Sequence, residues 1–173
     1  MGREALLVAD MINDFIDPEG SLFVGPAGRE IVPYVKKKID EARNAGKLII
    51  FICDVHSPDD PEFKYFARHA VKGTWGTEVI PELTVRPEDL RVDKPTYDSF
   101  FKTDLEELLK KEQIERVEVV GVCTSICVYE TAKGLFLRKI PAVVHRQGVA
   151  DFDPEAHEFA LKHLERVWGA EVV

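Results

Sequence analysis

Short apolar runs alternating with amphipathic helical stretches predict an α/β protein with a mostly parallel central sheet. Three observations point there. Residues 6–9, 48–53, 117–122 and 142–144 are rich in Val, Ile and Leu and nearly continuous in their apolar character. Such runs suit strands covered on both faces. Helical patterns separate them, which calls for right-handed crossovers. Polar residues able to do chemistry follow directly on the strands, where open parallel sheets bind their ligands.

The elements follow in order. The first strand, 6–9, delivers Asp10. Residues 30–44 place Ile31, Tyr34, Val35 and Ile39 on one helical face, with Gly46 as the C-terminal cap. The strand 48–53 delivers Asp54 and His56. Residues 54–88 then resist the scheme. They hold Pro58, Pro61, Gly73, Gly76, Pro81, two histidines and several aromatics. A loop of this length in a compact domain is functional or disordered, and its aromatic content argues against disorder. A weaker strand, 90–92, delivers Lys94 to a solvent-facing strand end, where Pro95 stops the ladder. Thr103 caps the next helix, with Glu106 completing a capping box and Leu105, Leu108 and Leu109 forming its stripe. The strand 117–122 leads into a helix over 124–138. After 142–144, Asp153 and Pro154 open a helix to 167. Residues 171–173 form an edge strand.

The chain has 173 residues, 45% hydrophobic and 31% charged, which fits a single domain over 1–173 with a sizeable core. A net charge of −8 argues against non-specific nucleic-acid binding. No apolar run approaches the roughly 20 residues of a membrane span. MGREALLVAD has one basic residue and enters a strand at once, so it does not read as a signal peptide, and it lacks the hydroxyl residue of an acylation site. Three cysteines, two of them in or beside apolar strands, predict a reducing, cytoplasmic setting.

The segment VEVVGVCTSICVY, 117–129, carries the strongest chemical signal. It brings a thiol, Cys127, to the first turn of a helix, where backbone N–H groups and the helix dipole stabilise anions. Taken singly, each strand-end residue has a plain alternative. Asp10 would be a cap, Lys94 a solvated surface residue and Cys127 a buried small hydrophobe. Gathered at one rim they supply a carboxylate, an ammonium and a thiol. Asp54-Val55-His56 with His69 has metal-ligand character, and Glu62 offers a fourth carboxylate. The alternative there is a polar loop with exposed histidines. Cys123 and Cys127, four apart, are not a Cys-x-x-Cys redox pair. Cys53 reads as core, and His145, His157 and His163 as structural or surface groups.

VADMINDF around Asp10, VDKPTYDSF around Lys94 and GVCTSICV around Cys127 together resemble the isochorismatase-like cysteine hydrolases across nearly the whole chain. Within that family the Asp54, His56, Glu62 and His69 segment is most similar to nicotinamidases, which hydrolyse nicotinamide to nicotinate and ammonia. The resemblance implies a three-layer α/β/α fold. It implies that Asp10 exchanges protons with Cys127 and the leaving ammonia, and that Lys94 lowers the thiol pKa. It implies that the N–H groups of Cys123 and Cys127 form an oxyanion hole, with a cis peptide between Val122 and Cys123. Asp54, His56, Glu62 and His69 would bind a divalent metal, zinc before manganese or iron, that holds the pyridine nitrogen. Phe15 and Phe66 would flank the ring, Phe66 standing where several relatives have Trp. The partner expected is a small amide, in a homo-oligomer of NAD salvage without nucleic acid or membrane. Two rivals stand beside this reading: another amidase or N-carbamoyl hydrolase of the family, and a non-catalytic metal or redox module using the cysteines and histidines.

Overall fold

The structure, a computed structural model, describes residues 2–173; Met1, part of the N-terminal stretch read above, lies outside them. The strands are β1 (Arg3–Ala9), β2 (Leu48–Asp54), β3 (Leu90–Lys94), β4 (Ile114–Val122), β5 (Ala142–Ala150) and β6 (Glu171–Val172). They form one sheet in the order β3-β2-β1-β4-β5-β6, and every ladder between them is parallel. The helices are α1 (Asn13–Ile16), α2 (Pro26–Glu30), α3 (Val32–Asn44), α4 (Leu105–Lys111), α5 (Tyr129–Leu137) and α6 (Pro154–Trp168).

The layering explains why β1 and β2 are almost wholly apolar. Leu6 and Val8 of β1 face a core shared with α3, as do Ile49 and Phe51 of β2 and Val120 and Val122 of β4. Ala5, Leu7 and Ala9 face the opposite core with α4, α5 and α6, alongside Ile50, Ile52, Val117 and Val119. Successive side chains of a strand point to opposite faces, so a strand buried on both must be apolar throughout. The expected three-layer α/β/α arrangement is therefore present.

Some local expectations change. The helix read over 30–44 is α3 joined through Ile31 to the short α2, and α1 and α2 carried no sequence signal of their own. The capping box at Thr103 does not form. Thr103 Oγ1 does accept the Leu105 N–H, at 3.4 Å, while donating to Ser99 O at 2.6 Å, but Glu106 accepts from Lys110 and Arg138 rather than reaching back. Asp153 does cap α6, accepting from the N–H groups of Glu155 and Ala156. β5 runs six residues past the apolar run at 142–144, because Arg146 and Gln147 interrupt the pattern without ending the strand.

Candidate active site

Asp10, Lys94 and Cys127 stand at the carboxyl ends of three strands, on the rim where a parallel sheet exposes its ligand crevice. β1 is followed directly by Asp10, whose backbone turns left-handed at φ 52°. Asp is among the few residues that tolerate this region. The turn sends its side chain towards β2, where Oδ1 accepts from the Asp54 N–H at 2.7 Å. β4 closes against β1 through Gly121. Its φ is +120°, and a Cβ there would lie 1.9 Å from the Ala9 carbonyl oxygen, so only glycine fits. The chain then passes through a cis Val122–Cys123 peptide, as the resemblance implied, into the turn Thr124–Val128.

That turn is π-type rather than α: Val128 N–H donates to Cys123 O at 3.1 Å. Cys127 sits inside it and is held from behind. Thr131 Oγ1 donates to the Cys127 carbonyl at 2.6 Å. Having spent its proton there, Thr131 must accept from Ser99 Oγ, also 2.6 Å away.

Lys94 is fully buried, which corrects the solvent-facing position expected for it. Its Nζ donates to Asp54 Oδ1, lies 3.0 Å from Asp10 Oδ2 and donates to Cys127 Sγ at 3.4 Å. Burial opposes its charge, but Asp10 and Asp54 outweigh burial and hold its pKa well above the usual lysine range. Burial pushes the Asp10 carboxyl up to about 6, and the Asp54 charge adds to this against the pull of Lys94. No donor is aligned on Asp10 Oδ2, which leaves it a lone pair for a proton. Burial also pushes the Cys127 thiol well above its ordinary value. Lys94 pulls the other way, the effect expected of it, against this burial.

Asp54 connects this group to the histidines. Its second oxygen, Oδ2, lies 3.6 Å from His56 Nε2 and 3.9 Å from His69 Nε2. Glu62 Oε1 lies 3.9 and 3.6 Å from the same two nitrogens. All four residues are thus brought together from β2 and the long loop. Nδ1 of His56 pairs with Asp60 Oδ2 at 3.1 Å, and Nδ1 of His69 donates to Ala67 O at 2.7 Å. Both rings therefore turn Nε2 inward, and His56 Nε2 is buried with no hydrogen-bond partner. Asp54, His56 and His69 each bring a ligand atom within 4.8 Å of the others, close enough for one cation to touch all three; Glu62 Oε1 approaches both histidine nitrogens but not Asp54 as closely. Asp60 and the Ala67 carbonyl hold the two rings from behind. Among the described residues, no sulfur stands in this set.

Between thiol and histidines lies a small pocket lined by Phe15, Phe66, Leu22, Tyr97, Ile126 and Phe152. Phe15 and Phe66 flank His69, with ring centroids 5.3 and 6.4 Å away. Tyr97 follows the Lys94 strand end without a motif of its own, and Phe152 lies beyond Arg146 and Gln147, whose polarity masks the end of β5 in the sequence.

The Isochorismatase domain model matches residues 4–173. The chain belongs to the isochorismatase family. Among its relatives in this family, an uncharacterized isochorismatase family protein, PncA, of Bacillus subtilis (strain 168) is 34% identical, covering 98% of each chain. A probable inactive nicotinamidase of Arabidopsis thaliana is 32% identical over 94% of this chain and 88% of its own. Similar solved structures include the nicotinamidase/pyrazinamidase PncA of Bacillus subtilis, with TM-score 0.92, 31% identity and 99% of each chain covered. The pyrazinamidase of Pyrococcus horikoshii in complex with zinc gives TM-score 0.92 and 30% identity, over 99% of this chain and 98% of that one. The N-carbamoylsarcosine amidase of Thermoplasma acidophilum gives 0.89 and 34%, over 98% and 95%.

Proposed function

We propose that this isochorismatase-family protein is an amidohydrolase, and specifically a nicotinamidase that hydrolyses nicotinamide to nicotinate and ammonia through a cysteine thioester. The observation that carries this reading is the convergence of Asp10, Asp54 and Cys127 on one buried ammonium, with an acceptor atom from each within 4.8 Å of the others. Asp10 Oδ2 takes the thiol proton as Sγ attacks the amide carbon. The backbone N–H groups of Cys123 and Cys127 receive the oxyanion that forms. Asp10 returns its proton to the departing nitrogen, and ammonia leaves a thioester on Cys127. Water, deprotonated by Asp10, then attacks the thioester and frees the acid and the thiol. Splitting the reaction in two avoids direct attack of water on a poor electrophile. Lys94 keeps Asp10 and Asp54 compatible in one dry site and shares its charge with the forming thiolate.

Asp54, His56, Glu62 and His69 would hold the divalent cation, proposed as zinc, and Phe15, Phe66 and Tyr97 would clasp the ring. When bound, that cation supplies a Lewis-acid anchor for a pyridine nitrogen rather than a nucleophile. The test is ammonia release from nicotinamide by purified protein, alongside an N-carbamoyl amine, with Cys127→Ala as control. Release from nicotinamide that vanishes in the variant supports the reading. Turnover of the carbamoyl compound alone, or release that survives Cys127→Ala, overturns it. Metal analysis should find zinc, and X-ray absorption should find only nitrogen and oxygen ligands around it.

A further inference from the structure

The corner between β5 and α6 grips two residues at the start of the nucleophile's turn, Thr124 and Ser125. Asp151, buried at the end of β5, accepts the Ser125 N–H on Oδ2 at 2.7 Å. Its other oxygen accepts the Asp153 N–H at 3.2 Å, tying the carboxylate to the cap of α6. Thr124 Oγ1 and His157 Nδ1, one turn into α6, lie 2.8 Å apart. Thr124 and Ser125 are thereby fastened in succession to one corner, whose Phe152 also lines the pocket beside Cys127. The Ser125 N–H is one of the donors at the start of this helix with no partner inside it, and Asp151 satisfies it from a different strand.

We propose that Asp151 is a positioning residue for catalysis. By anchoring Ser125 N–H it fixes the Thr124–Val128 turn, and so the placement of Cys127 Sγ against Asp10 and Lys94 and of the Cys123 and Cys127 N–H groups against the substrate carbonyl. His157, through Thr124, serves the same anchor. The kinetic part of this inference rests on the nicotinamidase reading.

The test compares Asp151→Ala, Asp151→Asn and wild type in three measurements: kcat and KM for nicotinamide, Tm, and the rate at which iodoacetamide alkylates Cys127, located by fragment mass spectrometry. The alanine variant loses the acceptor and should lose roughly 10- to 100-fold in kcat with KM within about threefold, because a misplacement of about 1 Å is enough for such a loss. Its Cys127 should alkylate roughly tenfold more slowly. Asparagine keeps an acceptor oxygen and should recover kcat to within about fivefold. Asp151→Ser, whose hydroxyl is too short to reach Ser125, carries the alanine expectation where Asp151→Ala does not fold. Wild-type kcat and alkylation in these variants overturn the proposal. So does a loss shared equally by asparagine, which would assign the effect to charge. If wild type does not hydrolyse nicotinamide, the functional reading fails, while the alkylation series still decides the role of Asp151.

Discussion

Removing the Lys94 ammonium would leave Asp10 and Asp54 facing each other with no solvent to separate them. Lys94→Ala should therefore abolish turnover and also destabilise the metal-free protein, by about 3–5 kcal/mol, the usual cost of breaking a buried ion pair. Urea unfolding measures this, and a variant as stable as wild type would show that the three charges do not act as one network. The sequence placed Lys94 at the right strand end but in the wrong environment. Nothing in VDKPTYDSF reveals that its counter-ions arrive from β1 and β2, more than thirty residues away. The same holds for the thiol: a helix start suggested a low pKa, whereas depth within the fold sets the direction upwards. Asp60 was unreadable for a related reason. Its work is to orient His56 from behind, and only the fold brings the two into contact.

Elements carry their own tests. Gly121 lets β4 approach the Ala9 carbonyl, so Gly121→Ala should cost well over 3 kcal/mol or prevent folding, because both backbone angle and space forbid a Cβ. Thermal unfolding of that variant is the measurement, and wild-type stability would contradict the close approach. On the α3 side of the sheet, Glu118 of β4 accepts from His145 of β5 and from Lys47, with Lys38 of α3 at 3.5 Å. His145's hydrogen bond, aided by the lysines and opposed by burial, holds the Glu118 pKa far below the usual carboxylate range. A depressed folded-state pKa gives stability that is present above the unfolded value, about 4.3, and lost as pH falls towards the folded one. Denaturation followed from pH 6 to 3 should thus show a steeper loss in wild type than in Glu118→Gln, which should itself cost about 1–3 kcal/mol at neutral pH. Identical slopes would remove Glu118 from the account. Strands were legible because burial on both faces leaves an apolar run. Their ends were less so. Arg146 and Gln147 hid the last third of β5, and with it Asp151 and Phe152.

At the scale of the whole molecule, the proposed cation binds a site assembled from β2 and the long loop, which exists only in the folded chain. Ligand that binds the native state alone stabilises it, by about 4 kcal/mol at a thousandfold excess over Kd. Zinc added to chelator-treated protein should therefore raise Tm, and His56→Ala should abolish the rise; an equal rise in both would place the ion elsewhere. The alternation of strands and helices made the three layers readable without any structure. The sheet order was not readable, because it depends on which apolar edges meet. That order puts β1 at the centre of the sheet. Its Ala5 pairs with Leu48 on one side and with Val117, 112 positions later, on the other. β1 leaves the ribosome more than a hundred residues before β4 and waits for it with an uncovered apolar edge. Non-local parallel pairing of this kind folds slowly and exposes the chain to aggregation meanwhile. Yield during synthesis, rather than stability once folded, is where this architecture is most vulnerable.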